Sequence, residues 1–211
     1  MSDVFETIRA AGVLPVVTID DADLAVPLVD ALQAGGLSVV EVTLRTDAGL
    51  AAIKAIATHS PSTCVGAGSV TTADQANAAA DAGAKFLVSP GLDDGVVIAA
   101  REHRVPVIPG IATPTELMRA IAHHLHVVKL FPAETLGGRS TLQALSAVWP
   151  DVRFVPTGGI SADNAASYLA DGHVLAVGGS WVAPRKLIAA RDWAHITALA
   201  SAAMDLAGGV R

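Results

Sequence analysis

Lys129 lies within an apolar run of the sequence, Val127-Val128-Lys129-Leu130-Phe131. Removing an ammonium group from water is costly, so burial in such a run favours the uncharged amine. An uncharged amine can add to a carbonyl carbon, and the resulting imine withdraws electrons from the neighbouring carbon–carbon bond. Lys129 is therefore a candidate nucleophile for cleaving such a bond. The alternative is a lysine at a strand end whose amine reaches solvent.

Two opposite charges lie in a second apolar run, Val39-Val40-Glu41-Val42-Thr43-Leu44-Arg45. Apolar residues alternate with polar ones, which is the period of a strand with two different faces. We expect Glu41, Thr43 and Arg45 to point into the interior of the fold. Beside an amine nucleophile, Glu41 would serve as an acid/base and Arg45 as an anchor for a carboxylate. A buried ion pair without a chemical role is the alternative.

Two glycine-rich turns follow the last two predicted strands, Thr157-Gly158-Gly159-Ile160-Ser161 and Gly178-Gly179-Ser180-Trp181. Backbone N–H groups at such turns can cradle a phosphate, and a barrel of alternating strands and helices often binds phosphate at this position. The turns predict a phosphate site, with ordinary tight turns as the alternative.

Metal and thiol chemistry are not predicted. His123, His124 and His126 cluster at the end of a predicted helix, where solvated histidines interact favourably with the helix dipole, and no carboxylate has the spacing to complete a metal site. Cys64 is interpreted as a small buried apolar residue at the start of a strand.

Short β-branched runs alternate with alanine-rich stretches of helical period along the whole chain. The runs begin about 23 residues apart, the length of one strand, one crossover helix and two loops. The eight predicted strands are Leu14–Ile19, Val39–Leu44, Thr63–Ala67, Phe86–Ser89, Val107–Ile111, Val127–Phe131, Arg153–Thr157 and Val174–Gly178. Eight such units favour one closed (β/α)8 TIM barrel, a single domain over residues 1–211, with a short N-terminal helix within MSDVFETIRAAG.

Residues at the joints of these units indicate where helices begin and end. Helix starts are predicted at Asp20-Asp21-Ala22-Asp23, at Thr71-Thr72 and at Thr113-Pro114-Thr115-Glu116, where proline takes the first helical position. Gly35-Gly36 and Gly83 are predicted to close helices.

Composition excludes several classes of protein. The chain is 52% hydrophobic, 16% charged and 4% aromatic, which is too apolar for disorder and too poor in aromatics for stacking on bases. A net charge of −6 argues against nucleic acid or an anionic membrane as partner. No apolar stretch reaches the roughly 18 residues of a membrane span, and the first residues do not resemble a signal peptide. A single cysteine is consistent with the cytoplasm, the expected location.

An ordered set of motifs covers nearly the whole chain: GLSVVEVTLRT, VGAGSV, LVSPGL, IPGIATPTE, VKLFPAE, FVPTGGI and VGGSW. In this order they resemble the class I (Schiff-base) aldolases that cleave 2-dehydro-3-deoxy-6-phosphogluconate and 4-hydroxy-2-oxoglutarate. The resemblance implies a (β/α)8 barrel, a homotrimer, a small 2-keto-3-deoxy sugar acid phosphate as substrate, and no metal or organic cofactor.

The resemblance also implies roles for individual residues. Lys129 would form the imine with pyruvate, and Glu41 would move protons. Arg45 and the Ser69 hydroxyl would hold the pyruvate carboxylate. The rest of the implied pocket comprises Phe131 and Pro90 as walls, Thr157 as a lining residue, and Gly158, Gly159, Gly179 and Ser180 as the phosphate site.

The sequence departs from this pattern at two positions. Ser69 stands where relatives often have threonine, which keeps the hydroxyl and loses a methyl group, so function should survive. The first strand ends in Val16-Val17-Thr18-Ile19, where some relatives place a basic residue, and this puts the preference for phosphorylated substrates in doubt.

Three other functions stay open from the sequence. An aldolase for the 6-phosphogalactonate epimer would differ only in pocket shape. A phosphate-binding barrel isomerase or synthase would use Lys129 only to neutralise substrate charge. A noncatalytic sugar-phosphate binding protein would turn over no 2-keto-3-deoxy acid.

Overall fold

The computed structural model of the chain describes residues 3–210. Met1, Ser2 and Arg211, which the predicted domain includes, lie outside the described residues. The predicted N-terminal helix is present as α1 (Asp3–Ala11), directly ahead of the first strand.

Every strand pair in the described residues is parallel. One sheet has the order β5-β4-β3-β2-β1-β9 and a second has the order β6-β7-β8. The strands are β1 (Val13–Val17), β2 (Val39–Thr43), β3 (Cys64–Gly68), β4 (Leu87–Val88), β5 (Val107–Ile108), β6 (Gly110–Ile111), β7 (Val127–Leu130), β8 (Arg153–Phe154) and β9 (Val177–Gly179).

The sequence predicted eight strands in one closed sheet, whereas the described residues form nine strands in two sheets. The predicted strand Val107–Ile111 is divided at Pro109, which has no N–H to donate: β5 pairs with β4, and β6 pairs with β7. The Pro109 carbonyl still accepts a hydrogen bond of 2.9 Å from the Lys129 N–H. The predicted last strand Val174–Gly178 is replaced by one isolated bridge at Val174, and β9 begins only at Val177.

Helices follow the strands in alternation, as predicted. They are α2 (Ala25–Ala34), α3 (Gly49–His59), α4 (Ala73–Asp81), α5 (Asp94–Glu102), α6 (Pro114–Ala122), α7 (Gly138–Val148), α8 (Ala162–Leu169), α9 (Arg185–Ala189) and α10 (Trp193–Gly208). Short 3-10 turns cover Ala22–Leu24 and Glu134–Leu136.

The predicted helix starts are confirmed at α4 and α6. Thr72 caps α4, and Thr113 forms a capping box with Glu116 behind Pro114 at the start of α6. The acidic stretch from Asp20 opens the 3-10 turn at Ala22, so α2 begins later than predicted.

The strands form the centre of the molecule. All residues of β2, β3 and β7 are buried, because one face of each strand meets the helices and the other meets the interior. Among residues 3–210, none of the helices combines the length and apolar character that crossing a bilayer requires.

Candidate active site

Lys129 and Glu41 meet inside the fold. Lys129 is the third residue of β7, Glu41 is the third residue of β2, and their side chains are 5% and 1% exposed. The Lys129 Nζ lies 3.6 Å from the Glu41 Oε1. Within the described part of the chain, that oxygen accepts no hydrogen bond. A buried carboxylate oxygen with unused acceptor capacity, next to an amine, is suited to exchanging protons with a bound molecule.

Gly68 on β3 makes room for the Glu41 carboxyl group. A Cβ atom at this position would lie only 2.1 Å from the Glu41 Oε1. The sequence analysis did not single out Gly68, although the alternating glycines of Gly66-Ala67-Gly68 are unusual within a strand and indicate close approach of another group.

The Phe131 ring lies beside the amine. The Lys129 Nζ is 5.2 Å from the ring centroid, within the range of a cation–π interaction. Phe131 is only partly buried and also lines the cavity described below, as expected for a wall of the pocket.

Arg45 and Ser69 come together at the mouth of the interior. The Arg45 Nε donates a hydrogen bond of 3.0 Å to the Ser69 Oγ. Arg45 was expected to point into the interior of the fold. β2 ends at Thr43, and Arg45 lies exposed in the following turn, where it lines the cavity described below. Thr43 is fully buried as expected, and its hydroxyl donates to the Val17 carbonyl at 3.0 Å.

A cavity of about 290 Å³ lies between Arg45, Phe131 and the two glycine-rich turns. Its lining comprises Val16, Arg45, Phe131, Thr157, Gly158, Gly159, Ile160, Gly178, Gly179 and Ser180. Every predicted phosphate-site residue therefore borders one cavity, together with Thr157 and the candidate carboxylate anchor.

Close approaches at the second turn explain its glycines. A Cβ at Gly178 would lie 2.2 Å from the Thr157 Oγ1, and one at Gly179 would lie within the Trp181 ring, 1.6 Å from its nearest atom. The Thr157 side chain and the Trp181 ring thus pack directly on the backbone of this turn.

Four predicted site residues are not among the residues that line this cavity: Lys129, Glu41, Ser69 and Pro90. Pro90 lies apart from it. It is exposed and lines a separate cavity of about 200 Å³ with Val70, Thr71 and Leu92. Its carbonyl oxygen would be 2.2 Å from a Cβ at Gly110, so Pro90 packs against the strand that pairs with Lys129.

The remaining candidates lie elsewhere. His123 pairs with Asp94 at 2.9 Å on the outer helices, and among residues 3–210 no three His, Cys, Asp or Glu side chains are grouped to hold a metal ion. Burial raises the pKa of the Cys64 thiol to about 11, which agrees with its interpretation as a buried apolar residue.

A buried amine facing a carboxylate inside a parallel α/β fold is the arrangement of a lyase that works through a Schiff base. The chain matches the family described as "KDPG and KHG aldolase" over residues 4–199. It therefore belongs to this family of class I aldolases. KDPG stands for 2-dehydro-3-deoxy-6-phosphogluconate, and KHG stands for 4-hydroxy-2-oxoglutarate.

Individual relatives agree with the family assignment. The chain is 46% identical to the 2-dehydro-3-deoxy-phosphogluconate aldolase of Treponema pallidum, with 99% of each chain covered. It is 45% identical to the KHG/KDPG aldolase of Escherichia coli K12, covering 95% of this chain and 94% of the relative. A crystal structure of the Legionella pneumophila KDPG aldolase with pyruvate captured as a covalent carbinolamine superposes with a TM-score of 0.92 at 39% identity, covering 96% of this chain and 98% of that one.

Proposed function

We propose that this protein cleaves 2-dehydro-3-deoxy-6-phosphogluconate (KDPG) to pyruvate and D-glyceraldehyde 3-phosphate through an imine on Lys129. The observation that carries the proposal is the buried Lys129 Nζ, 3.6 Å from a Glu41 carboxylate oxygen that has no other polar partner within residues 3–210. Burial of both side chains favours addition of the amine to a ketone and slows unwanted hydrolysis of the intermediate.

Lys129 forms the covalent bond to the substrate, and Glu41 transfers the protons. The Lys129 amine adds to C2 of the keto acid, and Glu41 transfers protons as the carbinolamine loses water to give the iminium. Glu41 then removes the proton of the C4 hydroxyl; the C3–C4 electron pair moves into the iminium, the aldehyde leaves and an enamine remains. Glu41 returns the proton to C3, and hydrolysis of the pyruvate imine frees Lys129.

Arg45 and the glycine-rich turns bind the two ends of the substrate. Arg45 and Ser69, already in contact at 3.0 Å, hold the pyruvate carboxylate through charge-assisted hydrogen bonds. Gly158, Gly159, Gly179 and Ser180 receive the phosphate at the far side of the cavity, while Thr157 and Phe131 line the space between. Pro90 supports the wall from outside, through its contact with Gly110.

The shorter substrate 4-hydroxy-2-oxoglutarate is a second substrate of the same site, giving pyruvate and glyoxylate. Its cleavage needs the amine, the acid/base and the carboxylate anchor. It makes no use of the phosphate site, so we expect it to react more slowly than the phosphorylated substrate.

We also propose that the two sheets close into one (β/α)8 barrel. One segment, interrupted at Pro109, pairs with β4 through β5 and with β7 through β6, so it belongs to both sheets. At the other seam the Gly178 N–H donates to the Pro156 carbonyl at 2.9 Å, and Thr157 and Gly178 form a bridge. These contacts support an eight-stranded closure in which β5 and β6 count as one strand.

The homotrimer and the cytoplasmic location remain proposals based on the family resemblance and the single cysteine. Sedimentation equilibrium tests the first: the trimer predicts about three times the 21.4 kDa mass of one chain. A mass equal to one or two chains would contradict it.

Borohydride trapping tests the imine. Reduction in the presence of pyruvate should inactivate the enzyme irreversibly, and peptide mapping should place the adduct on Lys129. The Lys129→Ala variant should form no adduct and cleave no substrate, whereas Lys54→Ala, which removes an exposed lysine, should behave as wild type. Absence of an adduct on the wild-type protein would favour the isomerase or synthase alternative, and a folded wild-type protein that turns over no 2-keto-3-deoxy acid would favour the binding protein.

The same assay decides between the two epimers. Cleavage of the gluconate-derived, galactonate-derived and unphosphorylated substrates is compared at equal enzyme concentration. We expect the phosphorylated gluconate compound to give the highest kcat/KM; a higher value for the galactonate compound would reassign the substrate.

A further inference from the structure

The Gly158-Gly159 turn adopts a conformation that needs support from outside. Both glycines have left-handed backbones, with φ of 95° and 81°, and glycine loses more conformational entropy on ordering than any other residue. A turn that must present its backbone to a ligand in one fixed geometry therefore depends on the groups packed behind it.

The segment after β7 packs behind the turn. A Cβ at Gly159 would lie 2.6 Å from both the Cβ and the Cγ of Glu134, so the Glu134 methylene groups lie directly on Gly159. The backbone N–H groups of Ala133 and Glu134 donate to the carbonyls of Thr157 and Gly158 at 2.8 and 3.1 Å. Two consecutive carbonyl groups at the turn are thereby fixed from behind.

The Glu134 carboxylate is held in turn by α8. The Tyr168 hydroxyl donates to the Glu134 Oε1, and Tyr168 is 1% exposed. Burial, together with the Glu134 carboxylate, raises the pKa of Tyr168, so the phenol stays a donor throughout the physiological range. Gly138 allows this contact, because a Cβ there would lie 2.6 Å from the Tyr168 Oη.

Asn164 completes the support from the same helix. Its Nδ2 donates to the Gly159 carbonyl at 3.0 Å, and its Oδ1 accepts from the Ser161 N–H at 2.9 Å. Glu134, Tyr168 and Asn164 surround the back of the turn, while its front borders the cavity.

We propose that Glu134 and Tyr168 are positioning residues that hold the Gly158-Gly159 turn ready for the substrate phosphate. The inference rests on the proposed phosphate site and adds residues that do not border its cavity. Because the pair acts on the turn and not on Lys129, its loss should weaken recognition of the phosphate and leave the imine chemistry intact.

The test compares KDPG with its unphosphorylated counterpart, 2-dehydro-3-deoxygluconate. Tyr168→Phe removes one hydroxyl and should raise the KM for KDPG about fivefold, the usual effect of one lost hydrogen bond. Glu134→Ala should raise it at least as much, because Gly159 also loses its covering methylene groups. Glu134→Gln keeps those groups and an acceptor for Tyr168, and should restore a KM near wild type. The kcat for KDPG, and the kcat and KM for the unphosphorylated substrate, should stay within about twofold of the wild-type values.

The controls separate this inference from the phosphate site itself. Glu102→Ala, which removes an exposed carboxylate at the end of α5, should leave all constants unchanged. If Ser180→Ala lowers the preference for KDPG and Tyr168→Phe does not, the positioning role is refuted while the phosphate site stands. Equal changes for both substrates in Tyr168→Phe would likewise refute it. A wild-type enzyme without preference for KDPG would overturn the phosphate site and this inference together.

Discussion

Lys129 and Glu41 can approach each other because a residue on a third strand has no side chain. Gly68 lies next to Thr43 in the register of β2 and β3, and the Glu41 carboxyl group occupies the space that a Cβ at Gly68 would fill. The position of the Glu41 carboxylate thus depends on a residue that carries no functional group. Steric exclusion, and not attraction alone, defines where the carboxylate lies.

Gly68→Ala should therefore give a folded but nearly inactive enzyme. The Cβ would lie 2.1 Å from the Glu41 Oε1 and 2.6 Å from its Cγ, but these contacts are with one side chain and not with backbone, so Glu41 can move aside and the fold survives. A displacement of about 1 Å in a catalytic group can cost about 100-fold in kcat, which is the loss we expect in steady-state cleavage. Gly172→Ala, where no atom lies within 4 Å, is the matched control. Wild-type kcat in Gly68→Ala would contradict the proposed role of Glu41.

Ser69 has a left-handed backbone, with φ of 57°, and contacts Arg45 through its hydroxyl. Ser69→Ala removes the hydroxyl, so half-saturation of borohydride trapping should need about fivefold more pyruvate. Ser69→Thr keeps the hydroxyl but places a β-branched residue in the left-handed region, at a cost of about 1 kcal/mol. We expect Ser69→Thr to retain activity with a Tm lowered by about 2–4 °C. Loss of pyruvate binding in Ser69→Thr but not in Ser69→Ala would reverse this assignment.

Candidate chemical residues could be named from the sequence, whereas the residues that support them could not. Lys129 and Glu41 stand out because charge within an apolar run is costly unless it is used. Gly68, Glu134 and Tyr168 could not be assigned in the same way, because their contacts depend on which strands and helices become neighbours.

At the scale of elements, the starts of α4 and α6 were predictable from the sequence and the strand ends were not. Capping at Thr113 is decided by residues within one turn of helix, which the sequence shows directly. Strand length depends on hydrogen bonds to a neighbour: β4, β5, β6 and β8 each have two residues, although the apolar runs that contain them are longer. Apolar composition continues beyond the point where pairing stops, so the predicted strands were too long.

A carboxylate joins two neighbouring elements, α5 and α6. Asp94 lies in the first turn of α5. Its carboxylate accepts a hydrogen bond from Arg119, and its Oδ1 lies 2.9 Å from the His123 Nε2. Hydrogen bonds from Arg119, and then from His123, lower the pKa of Asp94. A carboxyl whose pKa is lower in the folded state stabilises the fold above its unfolded pKa, and that stabilisation is lost as the pH falls through the folded value.

Asp94→Asn should consequently lower the Tm at pH 7 by about 1–3 °C, a small effect because the pair is exposed to solvent. The difference from wild type should shrink as the pH falls below about 4, because the Asp94 carboxyl of the unfolded chain then takes up a proton before that of the folded protein. Differential scanning calorimetry between pH 3 and 7 measures the Tm difference at pH 7 and its change with pH. Asp74→Asn, in the first turn of α4 and without an ion pair among the described contacts, should show a smaller difference. A difference that grows toward acid would contradict the linkage.

At the scale of the whole molecule, elements from the first and last parts of the described residues pack together. β9 pairs with β1, and α10, near the end of the described residues, packs on α2. Thr197 on α10 also donates to the Ala31 carbonyl on α2 at 3.0 Å. The repeating pattern of strands and helices predicted one domain, but it could not predict how closely these two helices approach.

Gly35, at the end of α2, allows α10 to pack close to α2. A Cβ at Gly35 would lie 2.5 Å from the Ala200 Cβ and 2.6 Å from the Thr197 carbonyl oxygen, and the backbone of α10 can yield only by moving as a unit. The φ of −87° suits alanine, so the cost of Gly35→Ala is the overlap itself, about 1–3 kcal/mol. Thermal unfolding should show a Tm lowered by roughly 3–10 °C, while pyruvate trapping at 25 °C should proceed at the wild-type rate because the contact lies outside the site. Gly208→Ala, on α10 with no atom within 4 Å, should keep the wild-type Tm or raise it slightly. An unchanged Tm in Gly35→Ala would mean that α10 adjusts at little cost and that the packing of α10 on α2 contributes little to stability.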